Sequence, residues 1–350
     1  MPTRLITARR RIITIPLVFI GFALYIVLLP VLALVGLVVG AVRRDRWALA
    51  RSFAMIGVYL ASSVAGMLIA LIMCLASGAW FGLGRERQRR WFITLQRWWT
   101  GALFWGIRTC FSLEVDVEEW PEGLGDRRLL VFLRHASILD TLLAAGLIAN
   151  PLRMHLLYVF KRELQSEPCL DIAGTRLGCH FAKLDAGESR NEVRILRQLA
   201  ANLRPREGVI IYPEGTRWTP AKQKRVLERI ELSGDERLYE LASELERLLP
   251  PRLGGPLALV DGAPNADVVF IAHEGFEGAL RPRDVMRGGL VGKTIRVKAW
   301  KVPADEVPDD RGEQIEWLYA NWRKIDTWLS RGVHPGGAVE TRRAGEVARM

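Results

Sequence analysis

The chain has 350 residues, of which half are hydrophobic, and it carries a formal net charge of +11 at neutral pH. Its length is enough for one large domain and a membrane-associated segment. The four cysteines form no CxxC pair, so the sequence predicts neither a zinc site nor a disulfide framework. The positive charge is suited to an anionic surface, which means either nucleic acid or the anionic lipids of a membrane.

Two long uncharged runs lie near the start of the chain. There are 31 residues without charge between Arg11 and Arg43, and 33 between Arg51 and Arg85. A bilayer core needs roughly 20 apolar residues of helix, so each run is long enough to cross one. The first run is too long for a cleavable signal peptide. The alternative, two buried helices of a soluble domain, would require apolar helices of this length without a polar face.

We therefore predict that residues 1–110 form a membrane-anchoring section. Basic residues flank both ends of both runs, so the positive-inside rule does not choose between two spanning helices and two hairpins that dip into one leaflet. Pro16, Gly21 and Pro30 interrupt the first run and are expected to kink it or turn it into a re-entrant hairpin. Arg85–Thr109 is basic and aromatic, which predicts an amphipathic helix on the membrane surface.

Residues 111–330 alternate apolar strands with helical patterns, which favours an α/β domain with a layered, mostly parallel sheet flanked by helices. The expected strands are Glu114–Glu119, Leu129–Leu133, His155–Phe160, Gly208–Tyr212, Ala266–Ala272 and Thr294–Trp300. The expected helices are Asp140–Ile148, Glu188–Leu203, Asp235–Leu249 and Gly312–Ser330. Residues 331–350 combine glycine with scattered charge, and we predict a disordered tail there.

A histidine and a carboxylate follow the predicted strand Leu129–Leu133. His135 and Asp140 are five positions apart, and a tight loop between them would let the side chains meet. Histidine is suited to remove a proton from a hydroxyl group, and a carboxylate can fix its tautomer and support the imidazolium that forms. The pattern indicates His135 as a general base and Asp140 as its partner, although such a pair in isolation more often has a structural role.

A second polar motif, Glu214-Gly215-Thr216-Arg217, follows the predicted strand Gly208–Tyr212. Gly215 permits a sharp turn, and Arg217 offers a planar fork of donors suited to phosphate. Thr216 can donate a hydrogen bond, and Glu214 can accept hydrogen bonds from a substrate or hold Arg217. We expect these four residues to bind an anionic acceptor molecule.

Together the two motifs resemble the HX4D and EGTR signatures of the glycerolipid acyltransferase family, which includes 1-acylglycerol-3-phosphate and lysophospholipid acyltransferases. The resemblance covers roughly residues 110–330 and implies the fold of that family. Lys161 opens a stretch similar to the family's KxEL segment and is expected to contact the acceptor phosphate. Lys183 is expected to supply the charge of an arginine that the family usually has at the position of Leu184. Thr219–Leu249 resembles the helical insertion of the longer, eukaryotic-type members, which precedes a PR-x-x-G turn.

The resemblance implies a membrane-bound O-acyltransferase that transfers a fatty acyl group from acyl-CoA or acyl carrier protein to 1-acylglycerol-3-phosphate, forming phosphatidic acid. Another lysophospholipid or a glycolipid is an alternative acceptor, because Arg134 stands where the family often has asparagine. A non-catalytic membrane lipid-binding protein is the alternative from a different class, although both motifs are intact.

The expected partners are therefore the lipid bilayer, a lysophospholipid acceptor and the acyl donor, with no metal or redox cofactor. The chain should be an integral or monotopic membrane protein with its catalytic domain on the cytoplasmic side. Nucleic acid is excluded as a partner, because the basic residues lie beside apolar runs and no zinc spacing or aromatic RNA motif is present.

Other candidate residues have weaker patterns. Ser137 lies inside the first motif, but no GxSxG elbow surrounds it, so we predict no acyl-enzyme intermediate. His155, His180, His273 and His334 have no partner at an informative spacing, and we predict structural or exposed positions for them.

Overall fold

The computed structural model describes residues 4–77, 84–137, 139–182, 189–279, 281–331 and 342–343. The helices are α1 (Arg4–Arg43), α2 (Ala48–Ala76), α3 (Arg85–Phe111), α4 (Asp140–Ala144), α5 (Pro168–Leu177), α6 (Arg190–Ala201), α7 (Pro220–Glu231), α8 (Glu236–Ser243), α9 (Gly254–Gly262), α10 (Pro282–Met286) and α11 (Arg311–Ser330). The strands are β1 (Glu114–Glu119), β2 (Leu129–Leu133), β3 (His155–Lys161), β4 (His180–Ala182), β5 (Glu207–Ile211), β6 (Asp267–Glu274), β7 (Thr294–Val302) and β8 (Arg342–Arg343).

The strands form one sheet in the order β4-β3-β5-β2-β6-β7-β1-β8. The first five strands in this order are mutually parallel. Strand β7 is antiparallel to β6 and parallel to β1, and β8 is antiparallel to β1. The predicted α/β class with a mostly parallel sheet is therefore confirmed. Because the carboxyl ends of parallel strands meet at one edge, the residues that follow β2, β3 and β5 lie close together.

Each face of the sheet is covered by its own hydrophobic layer, because successive side chains of a strand point to opposite faces. On one face, Val131 belongs to a cluster with Ile107 of α3 and the helical segment after β2. On the other face, Phe132 belongs to a cluster with Leu196 of α6 and Trp322 of α11. Strand β2 is buried along its whole length, so the loop that follows it starts from a rigid position.

Most expected strands agree with the observed ones, whereas the helices differ more. The helix expected over Asp140–Ile148 changes at its midpoint into a π-helical turn, Ala145–Ala149. Gly146 lies in this turn, where its backbone packs so closely on the Phe104 ring that a side chain would clash. The local contact with α3 therefore shapes the end of this helix.

The helix expected over Asp235–Leu249 ends earlier, at Ser243. Beyond it, the amides of Glu246 and Arg247 donate to Asp326 of α11 at 3.0 and 2.8 Å. A helix continuing to Leu249 would bond these amides internally, so the contact with α11 replaces the last turns of the expected helix. The sequence patterns also missed α5, α9 and β4, all of which are short.

The two N-terminal helices are both long and apolar enough to cross a membrane. Helix α1 has 40 residues and continues through Pro16 and Pro30, so of the two outcomes expected for the first run the re-entrant hairpin is wrong. At 1.5 Å per residue, α1 is about 60 Å long, whereas the hydrocarbon core of a bilayer is about 30 Å thick. Large apolar side chains along α1 are exposed, among them Ile12, Ile20 and Val27.

Polar contacts attach α1 and α2 to the α/β domain. The Nη2 of Arg10 and the Nε of Arg11 contact the two carboxylate oxygens of buried Asp171 on α5, at 2.6 and 2.7 Å. Near the start of α2, Arg51 donates to the carbonyl oxygen of Cys110 at 2.7 Å and to the hydroxyl of Ser112 in the domain at 2.9 Å. Near its end, Cys74 packs in a cluster with residues of α3 and α5. Both ends of α2 therefore contact the same domain.

The disordered tail expected over residues 331–350 lies almost wholly outside the residues that the structure describes. The described part consists of Arg331 and the two-residue strand β8, which pairs with β1.

Candidate active site

The histidine and the carboxylate of the first motif are in contact at the carboxyl end of β2. The Nδ1 of His135 lies 3.0 Å from Oδ2 of Asp140. Asp140 is fully buried in the first turn of α4, whereas 18% of the His135 side chain is exposed. Since Nδ1 is engaged by the carboxylate, Nε2 is the ring nitrogen that can accept a proton from a bound molecule.

The loop between the two residues folds around the Asp140 carboxylate. Its Oδ2 accepts a hydrogen bond from the amide of Ala136 at 2.8 Å. The amide of Ser137 lies 3.0 and 2.9 Å from the two carboxylate oxygens. These backbone donors fix the orientation of the carboxylate and therefore that of the His135 ring. The hydroxyl of Ser137 is buried and makes a hydrogen bond to the carbonyl oxygen of Ala279 at 3.4 Å.

The side chain of Glu214, in the second motif, is hydrogen-bonded to the backbone of the first motif. Its Oε1 accepts a hydrogen bond from the amide of His135 at 2.9 Å, and its Oε2 accepts one from the amide of Leu249 at 3.2 Å. The side chain is buried and does not line the adjoining cavity. Burial raises the pKa of Glu214 to about 7, although the two amides and the Arg134 guanidinium act in the opposite direction.

The turn after β5 depends on glycine. Gly215 has a φ of 65°, in the left-handed region that side chains disfavour, and a Cβ there would clash with the Arg252 side chain. The amide of Arg252 donates to the carbonyl oxygen of Pro213 at 2.8 Å, which holds the two segments together. Thr216 is engaged within the protein, because its hydroxyl accepts a hydrogen bond from Nζ of Lys222 at 2.8 Å.

Positive charge is concentrated beside His135. Lys161, Arg217 and Arg252 line the same cavity as His135. Lys222 lies next to them, and its Nζ also donates to the carbonyl oxygen of Arg217 at 3.0 Å. Burial lowers the pKa of Lys222, and the charges of Arg217 and Lys161 lower it further. A cluster of like charges around an open space is suited to an anion with several oxygen atoms.

The cavity has a volume of about 890 Å³ and extends from these basic groups to an apolar wall. That wall is formed by side chains of α2, α3 and the segment around α10. Its members include Ser52, Met55, Ile56, Ile107, Phe111, Val285, Met286 and Leu290. The cavity therefore joins a cationic end, a histidine and an apolar region of a size suited to a lipid chain.

The structure brings together most of the residues that the sequence indicated. His135, Lys161, Gly215 and Arg217 line the cavity, whereas Asp140, Glu214 and Thr216 are not among its lining residues. Lys183, expected to add charge, lies outside the residues that the structure describes.

Sequence reasoning missed other residues of the site. Tyr212 packs against His135, with ring centroids 4.8 Å apart, and its hydroxyl lies 3.0 Å from Oγ1 of Thr141. Lys222 follows the second motif by five positions, in the insertion for which only helical structure was predicted. Arg252 belongs to the PR-x-x-G turn, and that signal could have identified it.

Comparison with known proteins gives two findings, and a search of curated proteins gives no match. Among solved structures, the chain is similar to the 1-acyl-sn-glycerophosphate (LPA) acyltransferase PlsC from Thermotoga maritima, with 14% identity and a TM-score of 0.45. That similarity covers 78% of this chain and 99% of the other. Residues 114–254 match the sequence model of the family described as Acyltransferase, and this range contains both motifs. Both motifs of this chain therefore lie in a segment that is similar to the Acyltransferase family.

Proposed function

We propose that this protein transfers a fatty acyl group from the thioester of acyl-CoA or acyl carrier protein to the free hydroxyl of a lysophospholipid, with 1-acylglycerol-3-phosphate as the preferred acceptor. The observation that carries this proposal is the position of His135. Backed by Asp140, it faces a cavity that has cationic side chains at one end and an apolar wall at the other. An acceptor with an anionic headgroup and a thioester with an apolar chain suit these two regions.

The proposed reaction needs one base and no metal. Nε2 of His135 takes the proton of the acceptor hydroxyl as that oxygen attacks the thioester carbonyl, and Asp140 supports the imidazolium. The tetrahedral intermediate collapses with cleavage of the carbon–sulfur bond. The imidazolium returns its proton to the leaving thiolate, so the products are an ester and a free thiol.

The cationic cluster is proposed to bind the acceptor phosphate. Arg217 and Lys161 are the principal contacts, with Arg252 and Lys222 beside them and Lys183 as the further contribution expected from the sequence. Glu214 is proposed to act differently from the sequence-based expectation. Both of its carboxylate oxygens are engaged by backbone amides, so it supports the His135 backbone instead of contacting the acceptor.

The experiment is acyl transfer by detergent-purified protein, with labelled oleoyl-CoA and a panel of lysolipid acceptors, beside the His135→Ala variant. We expect label in phosphatidic acid with the wild-type protein and at least about a hundredfold less with the variant. Label in another lipid would retain the chemistry and replace the acceptor. If neither acyl-CoA nor acyl carrier protein served as donor for any acceptor, the proposal would fail in favour of a non-catalytic lipid-binding protein.

We further propose that α1 and α2 enter the membrane from one side, with the α/β domain on the cytoplasmic surface. Two observations support this. Helix α1 is about twice as long as a bilayer core is thick. Both ends of α2 contact the domain, which a helix crossing the bilayer next to a domain on one side would not allow.

This topology can be tested in oriented vesicles. In a background without native cysteines, Arg44→Cys in the loop between the helices and Asp309→Cys in the α/β domain should react with an impermeant maleimide from the same side. Reaction of these two positions from opposite sides would show that α1 crosses the bilayer.

A further inference from the structure

We propose that His273 is a positioning residue for the His135–Asp140 pair, an inference that rests on the acyl transfer proposed above. His273 lies near the end of β6, the parallel neighbour of β2. Leu133 pairs with Ile271 in this ladder, so the residues that follow the two strands continue side by side. The His273 side chain is completely buried behind the pair.

Two oxygen atoms surround one ring nitrogen of His273. Its Nε2 lies 3.1 Å from the carbonyl oxygen of Arg134 and 3.4 Å from Oδ1 of Asp140. A carbonyl oxygen can only accept a hydrogen bond, so Nε2 must have the proton and donate it. The second oxygen then faces the same N–H group at a longer distance. This arrangement assigns the Nε2–H tautomer to His273.

The rest of the surroundings favours a neutral ring. Within the part of the chain that the structure describes, Nδ1 of His273 is buried and has no hydrogen-bond partner. Burial lowers the pKa of His273, and the Arg134 charge adds to this, while Asp140 and Glu277 act in the opposite direction. Protonation would leave a charged N–H group at Nδ1 without an acceptor, which is costly in a buried position.

This neutral donor completes the surroundings of the Asp140 carboxylate. Oδ2 faces His135 and the amide of Ala136, Oδ1 faces His273, and the amide of Ser137 lies within hydrogen-bonding distance of both oxygens. The donor at Oδ1 opposes rotation of the carboxylate about its own axis. Such rotation would move Oδ2 away from His135, so His273 stabilises the orientation that the base requires.

Arg134 binds His273 from both sides and thereby fixes the strand ends. Its carbonyl oxygen accepts from Nε2 of His273, and its guanidinium donates to the carbonyl oxygen of the same residue. The guanidinium also lies 2.9 Å from Oε1 of Glu277. Arg134, which immediately precedes His135, thus makes two hydrogen bonds to His273, the residue behind the Asp140 carboxylate.

The test compares two amide variants in the full-length protein. His273→Gln brings an amide nitrogen to about the position of Nε2, whereas His273→Asn has the same group one methylene short. We expect kcat of the Asn variant to fall roughly 10- to 100-fold, with KM for the acceptor almost unchanged, because the base is misplaced. The Gln variant should retain kcat within about fivefold. Equal kcat values for the two variants would overturn the proposal.

A second measurement does not depend on turnover. The chain has five histidines, so protein labelled with nitrogen-15 in histidine should give a resolvable signal for the Nδ1–H proton of His135. We expect this signal to shift or broaden in His273→Asn and to stay in place in His273→Gln. An unchanged signal in both variants would contradict the positioning role. If the wild-type protein transferred no acyl group, the proposed function would fail, and this measurement would still test the contact.

Discussion

The two motif loops at the carboxyl edge of the sheet are built differently. In the loop after β2, the buried Asp140 carboxylate is surrounded by backbone amides and ring nitrogens at fixed positions. By contrast, the basic residues after β5, and Lys161 at the end of β3, reach the cavity on long side chains, and Lys161 is exposed. Proton transfer requires a geometry fixed to fractions of an ångström, whereas a phosphate can be held by several charges. Substitutions in the first loop should therefore lower kcat, and those in the second should raise KM.

The largest effect is expected from the first loop. His135→Ala should lower kcat roughly 10²- to 10⁴-fold, the usual contribution of a positioned base, and Asp140→Asn should lower it by a smaller factor in the same range. Steady-state kinetics with purified protein would measure both. Ser137→Ala is the matched control, because this serine is buried beside the pair and is expected to lose only a few-fold. A loss equal to that of His135→Ala would indicate a serine nucleophile instead.

The second loop should respond through substrate affinity. Arg217→Ala should lower kcat/KM for 1-acylglycerol-3-phosphate about 10- to 100-fold, mainly through KM, since a hydrogen bond to a charged group contributes about 1.5–3 kcal/mol. Arg217→Lys should recover part of this loss. Arg225→Ala, which removes an exposed arginine on α7, provides the control. An equal kcat/KM for wild type and Arg217→Ala would contradict binding of the phosphate at this site.

A substitution in the apolar wall of the cavity should have a smaller effect on the rate, and one that depends on the length of the acyl chain. Ile56 of α2 lines the cavity, so Ile56→Trp should shorten the space available to an acyl chain. We expect the rate with a C18 donor to fall about tenfold relative to a C10 donor, because overpacking costs about 1–3 kcal/mol. Ile72→Trp changes the same helix at an exposed position outside the cavity and should leave this ratio unchanged. A shifted ratio in the control would contradict the assignment of this wall.

The smallest effect concerns stability and its dependence on pH. The pKa of Glu214 is about 7 in the folded protein, whereas a glutamate that is not buried has a pKa of 4.5. Between these values the unfolded chain ionises while the folded one keeps its proton. Protonated Glu214 therefore contributes to the free energy of unfolding below pH 4.5. This contribution falls as the pH rises to 7, by a maximum on the order of 3 kcal/mol.

Glu214→Gln removes this ionisation, so its melting temperature relative to that of the wild type should increase as the pH rises through the same interval. Thermal unfolding in detergent at several pH values would measure the difference. A difference that is constant with pH would show that Glu214 is ionised in the folded state throughout.

The sequence predicted those parts of the fold and site that depend on local pattern. The strand Leu129–Leu133 and the polar residues after it follow from apolar runs and spacing. The position of His273 beside Asp140 depends on the pairing of β2 with β6, which are more than a hundred positions apart. The same strand-end logic could have revealed it, because the expected strand Ala266–Ala272 ends immediately before this histidine.

Other contacts required the three-dimensional structure. The early end of α8 results from backbone amides that bind Asp326, a long-range contact without a local sequence signal. The amide of Leu249, brought near Glu214 by the same departure from helix, then supports the second motif. Likewise, no pattern within α2 indicates that Met55 and Ile56 face the cavity, because no charged residue follows Arg51 in this helix to mark a polar face.

The participation of α2 in the cavity wall has a practical consequence for work with this protein. Residues 114–254, which match the family, do not include Ser52, Met55 or Ile56. A shortened protein that begins after α2, of the kind often made to improve solubility, would have both motifs intact but one side of its acyl compartment open to water. If the proposed function holds, α2 would contribute both to membrane attachment and to enclosure of the acyl chain, so we expect removal of the N-terminal helices to lower acyl transfer.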